Sequence, residues 1–164
     1  MVMSEDKAFS VLRGEMNKQG LNNWSIGFNN RKSSAGLTNL KKHSIVLSRF
    51  LLMFASDDQI LDTMRHEIAH AIDYEQRGFT NHDRFWKLVA RRVGANPQRV
   101  VEDDSWAKKI PSKYTYVCER CGYSVNVNRR LKNMDHRFCG VCYRKGFKNS
   151  HFIIKQNWWF VYGW

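Results

Sequence analysis

The chain has 164 residues, of which 43% are apolar, and it carries a net charge of +12. This length and composition exclude global disorder and allow one globular domain with a small additional unit. Apolar stretches such as FLLMFA are too short to span a bilayer, and the acids in the opening MVMSEDKAFS argue against a secretion signal, so we expect a soluble, cytoplasmic protein with no membrane partner.

The residues before position 56 predict one helix and a small sheet. Ser4 can cap a helix over residues 4–19, in which apolar side chains recur at helical spacing: Phe9, Leu12 and Met16. Residues 24–48 alternate or are rich in β-branched side chains, as in WSIGF and HSIVLS. This pattern predicts two or three short antiparallel strands.

A second helix is predicted between Ser56 and Gly78. Ser56 and Gln59 fit a capping box, and the two acids that follow Ser56 suit the positively polarised end of a helix. Gly78 can end the helix. One face of the helix carries an apolar stripe made of Ile60, Leu61, Met64, Ile68, Ala71 and Ile72.

A third helix is predicted from about residue 80 to Val93. Thr80 and Asp83 resemble another capping box, and the core-facing residues would be Phe85, Trp86, Leu88, Val89 and Val93. Beyond this helix, VEDDSWAKKIPSK has the composition of a connection. We therefore predict one domain over residues 1–106 and a second over residues 107–164.

The second predicted helix contains the pattern H-E-x-x-H at His66, Glu67 and His70. Residues four apart lie on one face of a helix, so the two imidazoles can bind a single metal ion. Zinc at such a site acidifies a water and polarises a carbonyl, and the intervening Glu67 can move the water's proton to a leaving amine. That combination suits peptide hydrolysis, although an ordinary charged helix face can match the same pattern by chance.

A catalytic zinc also needs a third protein ligand and an open fourth position. His82 is the best candidate because it lies just past a turn containing Gly78, at the start of the next predicted helix. A helix–turn–helix return could bring it beside His66 and His70. Considered alone, His82 is equally compatible with a capping or surface histidine.

The segments HEIAHAIDY and NHDRFWKLVARRVGANP resemble the SprT-like (Spartan-type) metalloprotease family, in which H-E-x-x-H is followed by a G-H-x-x-x-F/W segment. Upstream, SSAGLTNLKKHSIVLSRFLL resembles the family's strand region, and the likeness covers roughly residues 8–145. The resemblance implies a zinc peptidase. His66, His70 and His82 would be its metal ligands, and Glu67 would be its catalytic base. One departure is Asn81, which stands where the family usually has Gly; Asn tolerates unusual backbone angles better than most residues.

The four cysteines form two C-x2-C pairs: Cys118 with Cys121, and Cys139 with Cys142. Seventeen residues separate the two pairs. This spacing is typical of a structural zinc site, because each pair forms a tight knuckle and two knuckles complete a tetrahedron. Four free cysteines are the weaker alternative. The flanking sequence alternates as in β-strands, and SprT-like proteins often carry such a C-terminal zinc ribbon.

The predicted ribbon is strongly basic. Residues 107–164 hold 12 Lys and Arg against 2 Asp and Glu, a net of +10, whereas residues 1–106 have a net of +2. A zinc ion with four thiolates contributes about −2, which leaves about +8. Cations that neutralise phosphates suggest nucleic-acid binding, although a basic surface without a specific partner fits the charge alone. The candidate contact residues are Arg129, Arg130, Lys132, Arg137, Arg144, Lys145 and Lys148.

Aromatic residues are interleaved with these cations, as single-stranded nucleic-acid binding requires. We expect about half of the rings to pack inside the ribbon instead; the set is Tyr114, Tyr116, Tyr123, Phe138, Tyr143 and Phe147. The chain ends in QNWWFVYGW, which we interpret as an aromatic strand that packs back on the protein, with base stacking as the less favoured role.

These features predict an α+β fold: a small zincin-like helical metalloprotease domain with a short antiparallel sheet, followed by a β-rich four-cysteine zinc ribbon. The leading hypothesis is a monomeric zinc metalloendopeptidase with one catalytic and one structural zinc, associated with DNA of single-stranded character. Its substrates, proteins bound or crosslinked to DNA, are implied by the resemblance alone. A non-enzymatic nucleic-acid-binding adaptor and a zinc hydrolase acting on small amides remain alternatives.

Overall fold

The computed structural model describes residues 2–98, 105–134 and 137–157, and the chain divides into two compact units. We call Met1–Ile110 the first unit and Pro111–Trp164 the second unit. The predicted domain division after residue 106 stays a prediction. In the described part of the chain, every helix is too short or too polar to cross a membrane.

The first unit contains five helices and three strands in the described residues, and the second contains one helix and three strands. The helices are α1 Glu5–Lys18, α2 Arg49–Phe54, α3 Asp57–Arg77, α4 Arg84–Arg92, α5 Ser105–Lys108 and α6 Gly140–Arg144. The strands are β1 Ser25–Asn29, β2 Gly36–Asn39, β3 Ser44–Ser48, β4 Tyr114–Cys118, β5 Ser124–Val127 and β6 Phe152–Gln156. The mixed α+β composition confirms the predicted class.

The sheet of the first unit is mixed, so the prediction of an antiparallel sheet was wrong for one of its two pairings. The strand order is β1-β3-β2; β2 pairs with β3 antiparallel, whereas β1 pairs with β3 parallel. After β1 the chain crosses to the far edge of the sheet, forms β2 and turns back through His43, whose φ is 44°. The residue pattern identifies strands but not their partners, because pairing is set by contacts distant in sequence.

The buried face of α1 differs from the predicted one by one residue. Ser4 caps the helix by accepting a hydrogen bond from the backbone N–H of Lys7. The buried side chains are Ala8, Leu12 and Met16, spaced four apart, whereas Phe9 is 43% exposed. Phe9 lies beside this stripe rather than on it, and the guanidinium of Arg13 lies over its ring.

Helix α3 follows the prediction closely and forms the centre of the first unit. Ser56 and Gln59 form the reciprocal capping box, and Gly78 ends the helix in the left-handed conformation with φ 77°. Among the apolar residues of the helix, the buried ones are Ile60, Met64, Ile68, Ala69, Ala71 and Ile72. The predicted helix is therefore confirmed, and Leu61 is the one stripe member that is only partly buried.

Helix α4 starts later than predicted, and two of its predicted core residues face solvent. Asp83, not Thr80, is the N-cap, since its carboxylate accepts from the backbone N–H groups of Phe85 and Trp86. Starting the helix at residue 84 directs one face inward, with Trp86, Val89, Ala90 and Val93 buried. Phe85 and Leu88 are exposed, so the prediction that both belong to the core was wrong.

Helix α2 was not predicted from the sequence. It has only six residues, begins after Ser48, whose hydroxyl accepts from the backbone N–H of Phe50, and buries Leu51 and Leu52. A helix this short carries less than two turns of periodic signal, and its largely apolar sequence RFLLMF also suits a buried strand. Tertiary packing therefore decides its structure.

The second unit is a three-stranded antiparallel sheet with one short helix, as the β-rich pattern predicted. Its strand order is β5-β4-β6, with Tyr116 of β4 opposite Val125 on one side and Ile154 on the other. Helix α6 lies in the sequence between β5 and β6. The tryptophan-rich residues 158–164, for which an aromatic strand was predicted, lie outside the described residues.

Candidate metal centres

Three histidine side chains of the first unit converge on one point. The Nε2 atoms of His66 and His70 are 3.2 Å apart, and the Nε2 atom of His82 lies 3.1 Å from each of them. His66 and His70 share a face of α3 because they are four residues apart, and His82 lies two residues before α4. The structure thus brings together the three candidate ligands from both sides of the α3–α4 turn.

Asn81 lies in the turn between α3 and α4, directly before His82, where the SprT-like pattern has a glycine. Among the described non-glycine residues, only His43 and Asn133 have positive φ, so Asn81 occupies ordinary backbone space. Its side-chain oxygen instead accepts a hydrogen bond from the backbone N–H of Asp83, at 2.9 Å. Asparagine at this position therefore supports the turn through its side chain, which explains why glycine is not needed.

The indole ring of Trp86 packs against all three imidazoles. The ring centroids lie 4.8 Å from His66, 5.0 Å from His70 and 4.4 Å from His82. Trp86 is fully buried, so it fixes the rings from the protein side. Side chains locked by packing hold a binding geometry better than exposed ones.

The electrostatics of the cluster favour neutral imidazoles. Burial lowers the pKa of His66 to about 4, with a smaller contribution from His82. Burial likewise lowers the pKa of His70 to about 3. Both rings are therefore neutral at pH 7. With the lone pair of His70 on Nε2, its Nδ1 carries the proton and donates to Thr80 Oγ1 at 2.8 Å, and such a partner orients a metal-binding imidazole.

The histidine cluster fits zinc in donor type and spacing. Zinc–nitrogen bonds of about 2.05 Å at tetrahedral angles place the nitrogens about 3.3 Å apart, close to the 3.1–3.2 Å found here. A cation placed between the three nitrogens can interact with all of them at once. Among the described residues, the converging group contains no fourth side-chain ligand.

Glu67 lies beside the histidines but outside the ligand group. It is 8% exposed, and Thr38 on β2 donates a hydrogen bond of 2.6 Å to its Oε2. Burial raises the pKa of Glu67 to about 7, while the hydrogen bond from Thr38 opposes that rise. The carboxylate is thus held against β2, in a site where its protonation state is balanced near neutral pH.

Gly36 is a second residue of β2 that contacts Glu67. A Cβ atom at Gly36 would lie 2.7 Å from Glu67 Cγ and 2.8 Å from Oε1, closer than nonbonded atoms approach. Sequence reasoning identified neither Thr38 nor Gly36 as part of the site. The available signal was the glycine inside a strand-like segment, which often marks close approach of another group.

The four cysteines of the second unit also converge. Cys118 Sγ lies 3.8 Å from Cys142 Sγ, and Cys121 Sγ lies 3.7 Å from Cys139 Sγ. Four sulfurs bound tetrahedrally to zinc at about 2.3 Å are separated by about 3.8 Å. The backbone N–H of Cys121 lowers the pKa of the Cys118 thiol to about 7. At Cys121 the backbone N–H of Tyr123 is outweighed by burial and the neighbouring thiols, which raise the pKa of Cys121 to about 12. A bound zinc ion would deprotonate all four thiols. These residues fit a structural zinc.

All seven basic residues predicted to contact nucleic acid are exposed on the second unit. Within the described residues, none of them forms an ion pair with a carboxylate, so their charge faces solvent. The seven are Arg129, Arg130, Lys132, Arg137, Arg144, Lys145 and Lys148.

The aromatic residues of the second unit are more exposed than expected. Tyr116 is buried and Tyr114 is partly buried, but four of the six rings are largely exposed: Tyr123, Phe138, Tyr143 and Phe147. The guanidinium of Arg120 lies 3.6 Å from the centroid of Phe147. Exposed rings beside cations are the side chains that bind unpaired bases.

Comparisons with known proteins find sequences that are similar to most of the chain. The model of the SprT-like family matches residues 6–111. Protein SprT-like of Geobacillus kaustophilus strain HTA426 is 29% identical over 121 residues, which are 72% of this chain and 79% of the relative. Protein SprT-like of Bacillus subtilis strain 168 is 30% identical over 119 residues, 70% of this chain and 76% of the relative. Germ cell nuclear acidic protein of Drosophila melanogaster is 28% identical over 108 residues, 63% of this chain and 10% of that protein.

Substitution of one histidine ligand should remove one metal ion and leave the other. We expect the wild-type chain to hold two zinc ions and His70→Ala to hold one, because two imidazoles bind zinc far more weakly than three. Elemental analysis after dialysis against a weak chelator measures the count. His151→Ala, which changes a histidine outside both clusters, is the control and should retain two. Equal zinc content in His70→Ala and wild type would contradict the assignment.

Proposed function

The chain belongs to the SprT-like family, which confirms the resemblance, and we propose that it is a zincin-like, zinc-dependent endopeptidase acting on proteins held on DNA. The observation that carries the proposal is the convergence of three histidine Nε2 atoms beside a buried carboxyl group that lies outside the ligand group. In this proposal His66, His70 and His82 hold the zinc, and Glu67 is the general base.

Zinc in the three-histidine site would supply a Lewis acid for the peptide carbonyl and would make a water acidic at neutral pH. Glu67 takes the proton from the attacking water as the new carbon–oxygen bond forms. The same carboxyl then gives that proton to the amide nitrogen as the carbon–nitrogen bond breaks. Burial raises the pKa of Glu67 to about 7, and a cation nearby opposes this rise, so one residue can accept and return the proton.

The open coordination position favours an enzyme over the adaptor alternative. A purely structural zinc is normally enclosed by four protein ligands, as the four cysteines of the second unit would enclose theirs. In the described part of the chain the histidine group has three members, and His43 lies outside it, with its ring stacked on that of Trp24 at a centroid distance of 5.0 Å. A three-ligand site leaves room for water and substrate.

The second unit supports nucleic acid as the partner that brings substrates to the enzyme. Its solvent-facing cations can neutralise phosphates, and its exposed rings can stack on unpaired bases. A relative whose name describes it as nuclear agrees with this role. We propose single-stranded DNA as the preferred form because base stacking needs bases that are not paired.

Glu67→Gln tests the proposed chemistry. Glutamine keeps the size of the side chain but cannot take up a proton, so cleavage of a DNA-binding protein should fall by a factor of about 10²–10⁴. The assay compares wild type and variant by gel, without DNA and with single- or double-stranded DNA. Glu75→Gln is the control. Glu75 lies on the same helix and accepts a hydrogen bond from the Trp24 indole, so this variant should keep activity. Equal cleavage by Glu67→Gln and wild type would rule out Glu67 as base, and no cleavage by wild type under any condition would favour the adaptor.

Gly36→Ala tests the placement of Glu67. The added methyl group would overlap the Glu67 side chain at 2.7 Å and displace it, so cleavage should fall at least about tenfold while both zinc ions remain bound. Gly27→Ala on β1 is the matched control, because its Cβ would meet Val46 at 3.6 Å, an ordinary contact. A Gly36→Ala enzyme as active as Gly27→Ala would show that the position of Glu67 is not critical.

Neutralising cations of the second unit should weaken DNA binding in a salt-dependent way. Each phosphate contact contributes about 0.7 to the slope of log K against log salt concentration for single strands. Replacing Arg144, Lys145 and Lys148 by Gln should therefore reduce that slope by up to about 2. Fluorescence anisotropy with a labelled oligonucleotide measures the slope across a salt series.

The matched control for this substitution removes three exposed lysines of the first unit: Lys41, Lys42 and Lys87. It removes the same total charge, so it should change the slope by much less if binding is localised on the second unit. Equal slopes for the two triple variants would mean that overall charge, rather than this surface, drives binding.

A further inference from the structure

The end of α3 is joined to the start of α4 by an arginine that binds two carboxylates at once. Arg77 Nε lies 2.6 Å from Asp73 Oδ1, and its Nη2 lies 2.8 Å from Asp73 Oδ2. On the other side, Nη1 lies 2.8 Å from Asp83 Oδ2 and Nη2 lies 3.2 Å from Asp83 Oδ1. Paired hydrogen bonds of this kind fix direction as well as distance.

The planar guanidinium group of Arg77 is contacted on its flat faces as well as at its nitrogen atoms. Its guanidinium carbon lies 4.5 Å from the ring centroid of Phe79 and 4.6 Å from that of Phe85. Asp73 is completely buried, and a buried carboxylate needs a paired cation. These contacts also explain why Phe85 faces outward from α4: its ring covers Arg77 rather than the hydrophobic core.

Asp83 connects this arginine to the third histidine. It follows His82 directly in the sequence, and the same Oδ1 that binds Arg77 accepts from the backbone N–H groups of Phe85 and Trp86 at 3.0 Å. Trp86 in turn packs against all three imidazoles. The segment that carries His82 is therefore tied on one side to α3 and on the other to the first turn of α4.

We propose that Arg77 is a positioning residue for the metal centre, which fixes His82 against His66 and His70 before the metal binds. His82 is the only one of the three proposed ligands outside α3, so the backbone of that helix already sets the spacing of the other two. Without the arginine, the link from Asp83 back to α3 is lost, and more of the order in residues 78–83 has to be established when the metal binds. That ordering would weaken metal affinity by its entropic cost. The inference rests on the metal-binding part of the proposed function and does not depend on peptidase activity.

Two substitutions in the zinc-loaded chain of 164 residues test this role. Arg77→Met keeps the aliphatic length between the two phenylalanine rings but removes every hydrogen bond. Asp83→Asn keeps an N-cap oxygen and the Arg77–Asp73 pair but removes the second carboxylate. Because Arg77→Met leaves Asp73 unpaired and can prevent folding, Asp83→Asn decides the result if that variant is not folded by circular dichroism.

The matched control is Arg49→Met. Arg49 also binds one carboxylate through two nitrogens, Nε and Nη2, at 2.7 Å and 3.2 Å from Glu5, and it joins α2 to α1 rather than α3 to α4. It therefore reports how much a lost arginine–carboxylate pair affects zinc binding through general stability. Melting temperature is recorded for every variant.

The readout is zinc retained per chain in a series of zinc-buffered solutions, which gives the dissociation constant of the weaker site. We expect Asp83→Asn and Arg77→Met to raise the dissociation constant of the three-histidine site by about 10–100-fold. The four-cysteine zinc should stay bound, and Arg49→Met should bind both ions as wild type does. Unchanged affinity in Asp83→Asn, or an equal loss in Arg49→Met, would overturn the positioning role.

Two other outcomes separate this inference from the proposed function. A wild-type chain that retains only the four-cysteine zinc would overturn the inference together with the three-histidine centre. If Glu67→Gln cleaves as well as wild type while Asp83→Asn loses zinc affinity, the peptidase assignment fails and the positioning role stands.

Discussion

Three imidazole Nε2 atoms lie 3.1–3.2 Å from one another, and the site depends on the elements that hold these three rings together. Helix α3 sets two of the rings four residues apart, and Trp86 supports all three from the buried side. The packing of these elements holds the rings in an arrangement that suits a metal ion.

The neighbouring carboxylate depends on the same helix but on a different partner. Strand β2 lies against α3 so that Thr38 binds Glu67 and Gly36 leaves room for its side chain. The small sheet therefore positions the carboxyl group of Glu67, while the α3–α4 turn brings His82 to the two histidines of α3.

Local signals in the sequence were enough to predict the parts of the site that lie on one helix. The capping box at Ser56, the left-handed Gly78 and the spacing of His66 and His70 are all readable within a few residues. His82 could be proposed because a turn between two helices is a local event. The four cysteines were equally accessible, since their spacing alone reflects the geometry of two knuckles.

Contacts between distant segments could not be predicted in this way. The pairing of β1 with β3, the approach of Gly36 to Glu67 and the bond from Thr38 join residues about 20–30 positions apart. The prediction that Phe85 packs in the core failed for a related reason. An apolar side chain at helical spacing does not reveal that a guanidinium, held by two carboxylates, will lie against its ring.

We propose that the three-histidine site, loaded with zinc and with Glu67 beside it, hydrolyses peptide bonds. The most direct measurement follows cleavage of a DNA-bound protein while a chelator removes zinc in steps, with zinc per chain and DNA binding recorded at each step. We expect that cleavage disappears as the zinc content falls from two to one, that DNA binding persists, and that added zinc restores cleavage. Cleavage that continues after the three-histidine site has lost its zinc would contradict it.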